Sequence, residues 1–86
     1  MNKQIKDAIL DVVKGAVDAR NYGMLSTYRT RFDSHKILRR EGIKVGEYKI
    51  TKGDTVIANI HHRYASRKVN GMYKELNPTI EYLNVA

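Results

Sequence analysis

The sequence predicts an α+β domain, with one long amphipathic helix at the N-terminus packed on a small antiparallel sheet of four to five strands. Two observations carry this. Apolar residues near the N-terminus recur every three or four positions. Beyond Gly23 that period gives way to alternation, punctuated by glycine-containing turns. At 86 residues the chain is expected to form a single domain, 1–86, because so short a chain cannot divide its apolar surface between two cores.

The helix is expected from about Asn2 to Arg20. Ile5, Ala8, Ile9, Val12, Val13, Ala16 and Val17 form one face, which Leu10 widens, while Lys3, Gln4, Asp7, Asp11, Lys14 and Asp18 occupy the other. Asn2 suits an N-cap, and Asn21 or Gly23 a stop. So wide an apolar arc implies deep packing or contact with a second chain, and a homodimer is the expected oligomeric state.

The segment Thr27 to Phe32 alternates, with Tyr28, Thr30 and Phe32 on one face and Arg29 and Arg31 on the other, as in a strand with an arginine-bearing outer side. Asp33-Ser34 then reads as the cap of a short helix, His35 to Glu41, closed by Gly42. Ile43 to Thr51 reads as a strand whose alternation slips at Gly46, suggesting a bulge. Gly53-Asp54 fits a two-residue turn into the β-branched strand starting at Thr55. A helix from Thr55 to Val69 is the alternative, with Asp54 as its cap. Asn70-Gly71 signals a second hairpin, Asn77-Pro78 a further break, and Thr79 to Leu83 a last strand.

The net charge is +7, and it is unevenly distributed. Residues 20–70 hold twelve Lys or Arg against Asp33, Glu41, Glu47 and Asp54, whereas the two flanking segments are nearly balanced. A field of one sign attracts anions. Arg29, Arg31, Lys36, Arg39, Arg40, Arg63, Arg67 and Lys68 are the candidate phosphate ligands, and Tyr64, between two of the arginines, is a candidate base platform. Arginine grips phosphate bidentately and stacks on bases, so the expected ligand is nucleic acid, RNA ahead of DNA.

A second constellation is His61-His62-Arg63 with Lys68. Histidine can transfer protons near neutral pH and a cation can stabilise a pentavalent phosphate, which gives a metal-independent ribonuclease as one alternative. On a strand, however, the two histidines point to opposite faces. The simpler reading is a polar strand end without catalysis. No cysteine is present, and three histidines with scattered carboxylates give no ligand spacing, so neither a metal nor another cofactor is expected.

No apolar run suggests a signal peptide or a membrane span, and a membrane partner is not expected; the expected location is the cytoplasm, a host's if the protein is viral. The helix-then-strands order and the basic character resemble those of small ribonuclease toxins of toxin–antitoxin systems, with no motif residue to carry over. The other alternative is a protein inhibitor or antitoxin-like factor that holds a nuclease or toxin, with RNA as a shared ligand. The leading expectation is a small nucleic-acid-binding protein of the kind common among phage and mobile-element accessory factors.

Overall fold

The structure is a computed structural model that describes residues 1–22 and 32–83. Two helices, α1 (Lys3–Tyr22) and α2 (Phe32–Arg40), precede four strands: β1 (Ile43–Val45), β2 (Lys49–Lys52), β3 (Thr55–Val69) and β4 (Met72–Tyr82). The strands form one antiparallel meander in the order β1-β2-β3-β4, with α1 packed against it, as the sequence predicts.

Asn2 caps α1: its Oδ1 accepts from the Ile5 N–H at 2.8 Å, supplying a partner that the first helical turn lacks. The helix then buries Ile5, Ala8, Ile9 and Val13 against Ile43, Ile50, Ile57, Ala58 and Ile60 of the sheet and Leu38 of α2. Val12 and Ile37 flank this core. The arc on α1 is wide because it serves two neighbours within the chain, the sheet and α2, while Leu10 and Ala16 remain exposed.

Four local expectations are corrected. The expected strand from Thr27 lies, apart from Phe32, outside the described residues. Phe32 itself opens α2 and is exposed, so Asp33 and Ser34 sit inside the first helical turn rather than before it. Ser34 Oγ donates to Asp11 Oδ2 at 2.7 Å, tying α2 to α1. The helix α1 also continues past Arg20 to Tyr22, with Asn21 inside it.

Ile43 to Thr51 is a hairpin instead of one bulged strand: Val45 pairs Ile50 and Ile43 pairs Lys52. The slip at Gly46 is the turn. Its N–H donates to the Lys49 carbonyl at 2.9 Å, and a Cβ there would lie 3.0 Å from that oxygen, so only glycine fits without a shift.

Residues 55–69 are strand, not helix. Asn70 and Gly71 both have positive φ, 52° and 78°, as a two-residue hairpin turn requires. The fourth correction concerns Asn77-Pro78, which does not end a strand. There β4 bulges: His61 pairs Thr79 and Arg63 pairs Leu76, so His62 alone faces Asn77 and Pro78. A bulge accommodates a residue without an N–H, and Pro78 is buried there.

The β3–β4 hairpin outruns the rest of the fold. The molecule measures 43 × 27 × 21 Å, and its radius of gyration of 13.6 Å exceeds the roughly 12 Å expected of a compact chain this long. The section from Arg63 to Leu76 is a two-stranded arm on which every residue except Ala65 and Glu75 is exposed.

Candidate nucleic-acid interface

Among the described residues the candidate phosphate ligands fall into two groups, the second of which Lys74 joins. Lys36, Arg39 and Arg40 are exposed on α2. Beside them a surface cleft of about 460 Å³ runs between Arg39, Lys44, Leu38 and Ile43. A second cleft of about 370 Å³ is lined by Phe32, His35, Lys36 and Arg39. The other group is Arg63, Arg67, Lys68 and Lys74, all exposed on the arm. Among the described residues α2 packs on α1 and β1 and touches neither β3 nor β4, so the fold does not merge the two groups into one surface. Arg29 and Arg31 lie outside the described residues.

On the arm, pairing fixes which side chains share a face. Residues paired directly in an antiparallel ladder project to the same side, and alternate residues of one strand do likewise. Tyr64 pairs Glu75, and Tyr73 pairs Lys68. Ile60 is buried under α1, so its alternates His62 and Tyr64, together with Glu75 and Tyr73, lie on the side that bears the helix. Arg63 and Leu76 pair on the opposite side. Between Tyr64 and Lys68 the ladder slips again, three residues of β3 facing Lys74 alone. Lys68 Nζ rests 5.4 Å from the Tyr73 ring centroid, and Lys74 Nζ 4.9 Å from that of Tyr22.

The base of the arm is clamped by the end of α1. The Asn21 amide bonds both backbone groups of Glu75: Nδ2 donates to its carbonyl at 2.9 Å, and Oδ1 accepts from its N–H at 2.9 Å. Arg20 makes a bidentate pair with the Glu75 carboxylate, Nε to Oε2 and Nη2 to Oε1. That hydrogen-bonded carboxylate raises the Arg20 pKa above its already high ordinary value, with partial burial opposing. His62 completes the cluster. Its Nδ1 lies 3.4 Å from Glu75 Oε1, its Nε2 meets the Glu47 carbonyl, and its ring and that of Tyr48 form a T-shaped pair at 5.4 Å and 88°.

The histidine constellation separates as alternation predicts. His61 lies on the outer side, 3.1 Å from Glu81 Oε1, and Asn59 Nδ2 donates to the same oxygen at 3.3 Å. Hydrogen bonds from His61 and then Asn59 lower the Glu81 pKa below the usual carboxylate range. The His62 side chain is only 11 % exposed and sits beside a gap of about 20 Å³, too small to admit a phosphodiester. Among the described residues no group of His, Asp and Glu is arranged to hold a metal ion, and no helix is long and apolar enough to cross a membrane.

Four predicted ligands, Arg63, Tyr64, Arg67 and Lys68, are therefore together on the arm. Sequence reasoning missed the Arg20–Asn21–Glu75–His62 clamp and the place of Lys74. The Asn70-Gly71 turn could have found Lys74, since a hairpin brings it beside Arg67. No family model matches this chain, and no curated protein or solved structure is similar to it.

Proposed function

We propose that this protein is a cytoplasmic nucleic-acid-binding factor, with RNA ahead of DNA, that engages its ligand through the β3–β4 arm and carries out no chemistry on it. The observation that supports the reading is the arm itself. It holds four exposed cations, Arg63, Arg67, Lys68 and Lys74, and the exposed tyrosines Tyr64 and Tyr73, on a ribbon that contributes no residue to the buried core. A projecting basic ribbon with aromatic rings offers what a polynucleotide needs: charge for the phosphates and flat surfaces for the bases. Enclosure of His62 and the pairing of His61 with Glu81 on the other side support a binding role over a ribonuclease.

The test is salt dependence. With about four phosphates engaged, log K against log salt should fall with a slope of roughly −3 on single strands, as condensed counterions are released. Replacing Arg63, Arg67 and Lys68 together by Ser should flatten that slope and weaken binding while leaving the Tm nearly unchanged, because exposed charges add little stability. A salt-independent affinity would overturn the reading.

A further inference from the structure

We propose that the helix-bearing side of the arm is a stacking platform for an unpaired polynucleotide strand, with Tyr48, Tyr64 and Tyr73 each receiving one base. This rests on the nucleic-acid reading above and gives it a substrate class: single strand, not duplex.

The three residues are 65 %, 59 % and 51 % exposed, respectively. Aromatic side chains that serve a core are mostly buried, so these three leave large flat surfaces in water. They also lie in sequence along one side of the sheet. The Tyr48 carbonyl accepts from the Ile60 N–H at 2.7 Å, which seats Tyr48 beside β3, and its ring abuts His62. Tyr64 is the alternate residue after His62 and shares its face. Glu75 is the partner of Tyr64, and Tyr73 is the alternate residue of Glu75 toward the tip. Alternate residues of a strand are about 7 Å apart, so Tyr73 lies about one such step beyond Tyr64, comparable with one nucleotide of an extended strand, and Tyr48, bonded to Ile60, about two steps before Tyr64.

The supports of the rings are already made. His62, fixed by Glu75 and the Glu47 carbonyl, meets Tyr48 in a T-shaped contact, and Lys68 lies against Tyr73 from across the hairpin. Glu75, the carboxylate paired with Tyr64, is occupied by Arg20 and His62 and so presents little negative charge to a passing backbone. Exposed Lys68, on the same face, supplies positive charge beside the rings. A duplex cannot use such a row, because its base faces are stacked on one another; only unpaired bases can turn onto side chains.

The chain has six tyrosines and no tryptophan, so tyrosine emission reports directly on stacking. Oligo(U), oligo(dT) and a self-paired RNA hairpin, each roughly twelve nucleotides long, are titrated at one salt concentration. The single strands should quench emission and bind at least about tenfold more tightly than the hairpin. Tyr48→Leu, Tyr64→Leu and Tyr73→Leu should each weaken single-strand binding by about 5- to 100-fold, whereas the corresponding Phe variants should keep it. Tighter binding of oligo(U) assigns the platform to RNA, and of oligo(dT) to DNA. Equal affinity for the hairpin, or leucine variants that fold and bind like the wild type, overturns the platform and leaves the salt-dependent binding intact. If none of the three probes binds, both readings fall. A leucine variant that fails to fold leaves the wild-type comparison of single strand with hairpin to decide.

Discussion

The two halves of the β3–β4 hairpin share strands and hydrogen-bonding pattern but differ in what covers them. Near the sheet, Ala58 faces Tyr82 and Ile60 faces Ile80, and α1 lies over these pairs. Toward the tip, Arg63 faces Leu76 and Val69 faces Met72, and both sides of the ribbon meet solvent. A two-stranded ribbon alone is marginal in water. The covered half is thus held by burial, and the open half by its turn and by the clamp at Glu75. Stability and the proposed ligand contact reside in different parts of one hairpin, so they should respond separately to substitution.

The largest expected effect tests that separation directly. Ile9 is fully buried, and Ile9→Ala should cost about 2–5 kcal/mol in urea unfolding, from lost transfer energy and the cavity left behind. Val69→Ser, at a site 51 % exposed, should stay within about 0.5 kcal/mol of the wild type. Comparable losses in the two variants would mean that the arm is packed against something and would abolish the contrast.

An intermediate effect comes from Asn21→Ala. It removes both hydrogen bonds to the Glu75 backbone, and each group left without a protein partner should cost about 1 kcal/mol or more where it is shielded from water. The loss should be local: amide exchange at Glu75 should accelerate more than exchange at Ile60. Equal acceleration at both positions would show that the arm and the core open as one unit.

The smallest effect concerns Glu81. Its folded-state pKa is depressed by His61 and Asn59, so its contribution is present above the ordinary carboxylate range and is lost as pH falls through the lower folded value. The carboxylate is exposed, so the contribution is slight. Glu81→Gln should lower the Tm marginally at pH 6, and the difference should shrink as pH falls below the ordinary carboxylate range. A difference that persists in acid would have another origin.

Elements set by local chemistry were legible in the sequence, and those set by distant contacts were not. The periodicity of Ile5 to Val17, the Asn2 cap and the Asn70-Gly71 turn each depend on a few neighbouring residues. The slip at Gly46 was visible, but a bulge and a hairpin turn shift the alternation alike, and only the pairing of Val45 with Ile50 distinguishes them. At Asn77-Pro78 the missing N–H suggested an end, yet a bulge absorbs it once β3 lies alongside. For the proposed interface, the grouping of Arg63, Tyr64, Arg67 and Lys68 was legible because they are close in sequence on one strand. The nearness of Tyr48 to His62, and the joining of Arg20 and Asn21 to Glu75, require the chain to close over tens of residues. No local pattern encodes that.

The Asn21 amide has one more consequence. Strand β4 ends the sheet, and an end strand offers unpaired N–H and C=O groups to any extended segment that drifts past. Asn21 presents a carbonyl and an amine to Glu75 in the order a neighbouring backbone would, and so occupies that position as a one-residue substitute for a fifth strand. Edge-to-edge growth through Glu75 must first evict it, and the neighbouring Lys74 puts positive charge at the same place. The side chain that steadies the arm therefore also guards the chain against stacking sheet to sheet with its own copies, a hazard that a long, exposed hairpin would otherwise carry.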